Sequence, residues 1–266
     1  KMEVFPCALQ AADPKAETVG IFKNYIGARI SEEHLPYLDG INIHAYSYEK
    51  NIFGNNVGTF PENKNSSFWE ILNAIRWRNN NMPGKKIYLS EWGWDCGGGG
   101  EECTHSECVS EKAASAYALR GLMIAQRLGL DRATWYFYAN SDAESSLYTR
   151  SGLTGSAKSD FEKKTVYKVL KKLIQSIGNQ YFIATIQEDD NAWIYLFGDR
   201  NGKPTHIIGW RPISGNNSQI ITQTINTIFR PKSVISLDNQ TFDLPKYEHG
   251  EMTLELSSMP RIIEIK

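Results

Sequence analysis

Through residues 1–178 the chain alternates short β-patterned runs with helical ones, and that order limits the available folds more than any other feature. An apolar run over 2–9 ends in the loop signal Gln10-Ala11-Ala12-Asp13-Pro14. Val19, Ile21, Phe22, Tyr25 and Ile26 then recur at helical spacing over 17–30. A strand is predicted over 41–48, followed by a Gly- and Asn-rich loop over 51–65 that is long enough to suggest a task. Ser66-Ser67 opens a helix carrying Phe68, Trp69, Ile71, Leu72, Ile75 and Trp77, and Met82-Pro83-Gly84 stops it. A strand over 86–89 runs into Ser90-Glu91-Trp92-Gly93-Trp94-Asp95. Ser110 caps a helix over 111–128 that Gly129 ends, a strand follows over 132–138, and a last helix over 163–177 closes at Gly178.

Strict alternation of this kind makes βαβ units and a parallel sheet. Four such units fit a small doubly wound domain or half of a (β/α)8 barrel. After Gly178 only short β-rich segments remain, over 181–185, 192–197, 205–210, 220–224, 233–237, 252–256 and 261–265. They predict an all-β, sandwich-like second domain over 179–266, behind an α/β domain over 1–178.

The overall balance narrows the partners. With 29 Lys and Arg against 30 Asp and Glu, the net charge is −1. A chain that neutral has no general field for nucleic acid or an anionic membrane surface. Mean hydropathy is −0.42, and no stretch approaches the roughly 20 apolar residues of a spanning helix. No Gly-x-Gly-x-x-Gly follows a strand and no Walker lysine motif is present, so nothing points to a nucleotide. Aromatic residues are plentiful, 7 Trp, 13 Tyr and 11 Phe, and flat rings with polar edges suit sugars as well as cores.

Three of the four cysteines, Cys96, Cys103 and Cys108, lie with His105 around a four-glycine run; Cys7 stands apart. Their spacing matches no common zinc pattern, so a loop disulfide between Cys103 and Cys108 is the preferred expectation, with a zinc site or free thiols as alternatives. Asn65-Ser66-Ser67, Asn216-Asn217-Ser218 and Asn239-Gln240-Thr241 are glycosylation triplets, and with the cysteines they suggest secretion.

The sharpest local signal is Ile87-Tyr88-Leu89-Ser90-Glu91-Trp92-Gly93-Trp94-Asp95. An apolar strand running into a carboxylate puts Glu91 at the C-terminal end of a parallel strand, where α/β barrels gather reacting groups. There it serves as general base, metal ligand or nucleophile, against the plainer alternative of a strand-end salt bridge.

This segment resembles the seventh-strand motif of retaining glycoside hydrolases of the clan-A barrel superfamily, which contains many cellulases, mannanases and β-xylosidases. Ile41-Asn42-Ile43-His44-Ala45-Tyr46 looks like the sixth-strand His-x-Tyr motif, and Ala133-Thr134-Trp135-Tyr136-Phe137-Tyr138 like the aromatic eighth strand. Gly152-Leu153 and the run from Lys164 to Leu170 resemble the entry to the last helix, and a β-domain after the barrel is common in the group. The resemblance implies barrel strands five to eight of a (β/α)8 fold, then a β-domain. It further implies Glu91 as nucleophile, Tyr46 holding Glu91 by a hydrogen bond, His44 lining the subsite of the scissile sugar, and Trp135 as a platform under a sugar ring. Tyr138 is expected among the substrate-binding residues. The plainer readings are a satisfied strand histidine for His44 and barrel core for Trp135. No cofactor is implied.

Retaining hydrolysis needs a second carboxyl roughly 5–5.5 Å from the first. In the family it follows an asparagine at the end of the fourth strand, and this sequence has no Asn-Glu dipeptide. Either an N-terminal half-barrel segment outside this chain supplies the proton donor, or the chain is a non-catalytic carbohydrate-binding or structural protein on a degenerate barrel. Within the chain the loop acids Glu49, Asp95, Glu101, Glu102, Asp142 and Glu144 are the weaker substitutes.

Overall fold

The structure, a computed structural model, describes residues 2–6, 8–10, 30–96, 107–142, 148–238 and 240–266. In chain order its first part contains β1 (Leu9–Gln10), β2 (Gly40–His44), β3 (Tyr48–Lys50), β4 (Asn56–Gly58), α1 (Ile71–Asn81), β5 (Lys86–Trp92), α2 (Glu111–Arg127), β6 (Arg132–Trp135) and α3 (Thr165–Ile177). β1, β2, β5 and β6 pair in that order in one parallel sheet. Among the described residues the sheet is open and does not close into a barrel. The helix expected over 17–30 lies, up to residue 29, outside the described residues.

The alternation that predicted the sheet also sorts its faces. Ile41, Ile43, Ile87 and Leu89 are fully buried and point to the helix layer. Asn42, His44, Tyr88 and Ser90 between them stay half-exposed on the concave face. α2 is the main helix of that layer. Ser110 caps it by accepting from the Ala113 amide at 3.0 Å, and twelve of its residues are buried, from Ala113 to Ala125. Small side chains are needed there, because a Cβ added at Gly121 would meet Trp92 at 2.5 Å.

Several expected boundaries shift for physical reasons. Among the described residues of the run over 2–9 only Leu9 pairs as a strand, together with Gln10. Pro6 has no N–H to give a ladder, and Val4 exchanges hydrogen bonds with Asp39 while Phe5 stacks on Tyr88 at 4.3 Å. The run over 41–48 breaks after His44, and Tyr48 instead begins a hairpin with β4 inside the long loop. Gly54, at φ +77°, allows the turn.

The second part holds β7 (Tyr181–Glu188), β8 (Trp193–Gly198), β9 (Pro204–Trp210), β10 (Ile221–Asn226), β11 (Pro231–Ile235), β12 (Lys246–Glu248), β13 (Glu251–Leu256) and β14 (Arg261–Ile265). They form a five-stranded antiparallel sheet, β11-β14-β9-β8-β7, and a three-stranded one, β10-β13-β12. β8 explains the stacking. Ile194 faces the smaller sheet with Ile207, Leu254 and Ile263, whereas Trp193, Tyr195 and Phe197 join the core of the α/β part. The five-stranded sheet is thus covered on both sides, which is why β8 reads as nearly continuous apolar sequence.

A buried ion pair of the α/β part anchors the second part at the joint. Arg120 of α2 grips Glu62 through Nε at 2.7 Å and through Nη2, with the two side chains 0% and 1% exposed. Trp210 of β9 donates to the same carboxylate at 2.6 Å, and Arg120 also donates to the Ile213 carbonyl at 2.7 Å.

Candidate active site

A register slip builds the site. β2 and β5 pair Ile43 with Leu89, but the next pair is His44 with Glu91, so Ser90 is an extra residue in β5. Without this bulge the period of two would send Glu91 to the same side as Ile87 and Leu89, under the helices. The bulge turns it to the concave face beside His44 and sends Trp92 into the core, where it is 2% exposed.

Tyr46 donates its hydroxyl to Glu91 Oε2 at 3.0 Å, and His44 Nδ1 lies 3.3 Å from the same oxygen. The Glu91 side chain is 33% exposed, so the carboxylate is reachable. Its backbone is clamped as well, the carbonyl accepting from the Ala45 amide at 3.1 Å. Burial holds His44 below the ordinary histidine value, partly opposed by the Glu91 charge, so the ring is neutral at pH 7. Burial, then the nearby carboxylate, pushes the Tyr46 phenol well up and keeps it a donor.

Further tyrosines surround Tyr46. Tyr48 stacks on it at 5.9 Å, Tyr136 meets it edge-on at 6.5 Å, and Tyr148 lies tilted at 6.5 Å. Tyr148 donates to Glu107, which also accepts from Asn56 Nδ2 at 3.0 Å. Burial and that carboxylate push the Tyr148 phenol up to about 12. Tyr148 itself sits at φ +65°, an uncommon conformation for a bulky residue. Asp95 holds the segment there, accepting from the amides of Tyr148 and Arg150 at 2.9 Å each while itself 1% exposed.

Of the five residues expected at the site, Glu91, His44 and Tyr46 are brought together. Trp135 is placed differently: it packs on Trp92 at 5.3 Å and lines a recess with Leu122, Leu153 and Leu170 on the helix side. Its indole donates to the Ser151 carbonyl at 2.8 Å. Tyr138 is 66% exposed, while the ring against Tyr46 is that of Tyr136. β6 ends at Trp135, so alternation carried on to residue 138 no longer selects the inward side chain.

The loop acids are occupied elsewhere. Glu49 accepts from Asn63 Nδ2 at 2.6 Å, Asp95 is committed to backbone amides, and Ser156 and the Lys158 amide hold the Asp142 carboxyl below its usual range. Glu101, Glu102 and Glu144 lie outside the described residues. Sequence reading missed Glu107 and Tyr148, and only the placement of two acidic or aromatic loops on one face could have signalled them. Cys96 is a buried free thiol. Cys7, Cys103 and His105 lie outside the described residues, and with them the expected Cys103–Cys108 pairing and the zinc alternative. Among the described residues no group of three His, Cys, Asp or Glu could hold a metal ion, and no helix is long and apolar enough to cross a membrane.

This architecture, an α/β sheet with a carboxylate at a strand's C-terminal end and a β-sandwich behind it, is similar to part of the fold of solved glycoside hydrolases. A family 39 glycoside hydrolase from Bacteroides cellulosilyticus WH2 superposes with a TM-score of 0.65 at 18% identity, over 91% of this chain and 47% of that one. A family 44 xyloglucanase from Paenibacillus polymyxa gives 0.52 at 9% identity, over 86% and 47%. CelM2, a bifunctional glucanase-xylanase from a metagenome library, gives 0.50 at 14% identity, over 91% and 47%. The chain therefore spans about half the length of these structures, at 47% in each case. No family model matches the sequence, and no curated protein matches it.

Proposed function

We propose that this chain is the C-terminal portion of a retaining glycosidase that cleaves a β-linked glycan or glycoside, with Glu91 as its nucleophile. One observation carries the reading: Tyr46 and His44 converge on a single oxygen of a carboxylate that remains one-third open at a strand end. The two contacts fix the rotamer of Glu91 and leave Oε1 to attack the anomeric carbon, forming a glycosyl ester that water then hydrolyses. Neutral His44 lines the sugar's subsite without drawing a proton from the reaction. Tyr136, 37% exposed, forms the aromatic wall, with Trp135 packed behind the strand.

The reaction also needs a proton donor about 5–5.5 Å from Glu91. In this proposal it comes from an N-terminal half-barrel segment that completes the sheet beyond its open edges. Secretion belongs to the same proposal and rests on the glycosylation triplets.

The test is covalent trapping on the complete enzyme. An activated 2-deoxy-2-fluoro β-glycoside should stall at the glycosyl ester, and peptide mass mapping should place the adduct on Glu91. Glu91→Gln should remove the adduct and lower turnover by several orders of magnitude. Label on any other residue would overturn the assignment. Sugar binding without turnover would instead favour the non-catalytic reading.

A further inference from the structure

A groove of about 950 Å³ opens where the α/β part meets the sandwich, between the turn that leads into α1, the last residue of α2 and the β7–β8 turn. None of His44, Tyr46 and Glu91 lines it. Its apolar strip comes from Trp69 and Leu72, three positions apart at the start of α1. Trp69 is half-buried and leans on the buried Trp193 of β8, with ring centres 6.1 Å apart. Its Nε1 is shut in, so the indole meets the groove with ring carbon. Leu72 beside it is 40% exposed. An aromatic face with an aliphatic side chain next to it suits the C–H face of a pyranose ring and asks for no charge on the ligand.

The polar rim narrows the occupant further. Lys64 and Asp190 reach toward one another from the two parts, Nζ 3.5 Å from Oδ1, with side chains 82% and 92% exposed. An ion pair that open contributes little, so either partner can turn to a hydroxyl at small cost. Arg127 and Glu188, partly buried, pair at 2.7 Å. Glu62 is held by Arg120, and Asp189 accepts from the amides of Asn191 and Ala192 and from Gln187 Nε2. Among the described residues each cation of the lining thus has its carboxylate, and each carboxylate its donors. Such a balance does not draw a phosphate, a sulfate or a uronate. It does offer an ammonium donor and carboxylate acceptors to a neutral polyol.

We propose that this groove is a second carbohydrate site, which holds consecutive pyranose rings of a neutral glycan without cleaving them. The ring faces lie on Trp69 and Leu72, and the hydroxyls accept from Lys64 Nζ and donate to Asp190 and Glu188. The site is separate from Glu91 and does not depend on the hydrolytic reading.

The experiment is an amide-resolved NMR titration of the intact protein with cellohexaose, xylohexaose, mannohexaose and maltohexaose, and with hexagalacturonate as the charged control. At least one neutral hexaose should shift the amides of Lys64, Leu72 and Asp190 and bind about tenfold or more tighter than hexagalacturonate. Trp69→Ala should weaken that binding by about tenfold. Lys64→Ala combined with Asp190→Ala, two changes at exposed positions, should weaken it by about two- to tenfold. Should Trp69→Ala not fold, the exposed pair decides. Shifts confined to His44 and the residues around Glu91, hexagalacturonate binding as tightly as the neutral chains, unchanged affinity in the variants, or no binding of any hexaose would each overturn the proposal.

Discussion

Replacing Glu62 with glutamine tests how the two parts of the molecule are joined. The Glu62 carboxylate accepts from Arg120 Nε at 2.7 Å, from Arg120 Nη2, and from the Trp210 indole at 2.6 Å, with no water access to either charge. Glutamine keeps the shape but removes the charge and turns one acceptor into an N–H₂ facing donors. Arg120 would keep its bond to the Ile213 carbonyl, but its charge would stay buried without compensation. Breaking such a pair costs about 3–5 kcal/mol, and for a chain of this size that is a fall in Tm of roughly 10 °C. Urea unfolding followed by tryptophan fluorescence and by far-ultraviolet dichroism gives both the loss and its distribution. Coincident transitions by the two probes would show that the sandwich and the α/β part unfold together. Replacing both residues with methionine should cost less than either single change, because the cost lies in the orphaned partner. A Glu62→Gln protein within about 1 kcal/mol of wild type would refute the reasoning.

His44 should titrate below the ordinary histidine value in the native protein, and Glu91→Gln should lower it further by removing the charge that opposes burial; NMR of the ring protons measures both. Because the folded pKa lies under the unfolded one of about 6.5, the unfolded chain binds the extra proton, and stability should decline as pH falls from there to the native value. Gly121→Ala should destabilise by about 1–3 kcal/mol despite alanine's better helix propensity, since the new Cβ meets the buried Trp92 ring at 2.5 Å; a stabilised variant in thermal melts would contradict the packing. Asp95→Asn should cost about 1–3 kcal/mol, because one amide of Tyr148 or Arg150 then faces an N–H₂ group, and amide exchange at those two positions should quicken.

How far the sequence carried depended on whether the signal was local. Ser110 and the run of alanines announced α2 to within a residue, and β8, β9, β13 and β14 lay where β-rich segments stood between turns. β12 was missed because Lys246-Tyr247-Glu248 offers one apolar residue between two charges, and the strand exists only because β13 pairs with it. The hairpin over 48–58 was hidden in a Gly- and Asn-rich stretch whose composition signals a turn without saying that flanking residues pair across it. Arg120 gave no sign either: a lone arginine in a helix pattern reads as solvated, and the carboxylate that buries it lies 58 positions away.

Glu91 shows the same division inside a single motif. That a carboxylate ends an apolar strand is written in Ile87-Tyr88-Leu89-Ser90-Glu91, but alternation alone would place it beneath the helices with Ile87 and Leu89. What turns it outward is Ser90 standing unopposed between the pairs Ile43–Leu89 and His44–Glu91. Its hydroxyl donates to the Ile43 carbonyl at 3.3 Å, holding the two strands together where the ladder skips. The same extra residue carries Trp92 into the core against Gly121 of α2 and pairs it with Trp135. Trp135 thereby faces the helices, and the aromatic ring exposed beside Tyr46 falls to the next residue, Tyr136. A single inserted position thus decides both which acid lies against Tyr46 and His44 and which aromatic ring lies beside them. Motif reading that counts every second residue points to Glu91 by its neighbours, but one strand away it points to Trp135 where the structure sets Tyr136 against Tyr46.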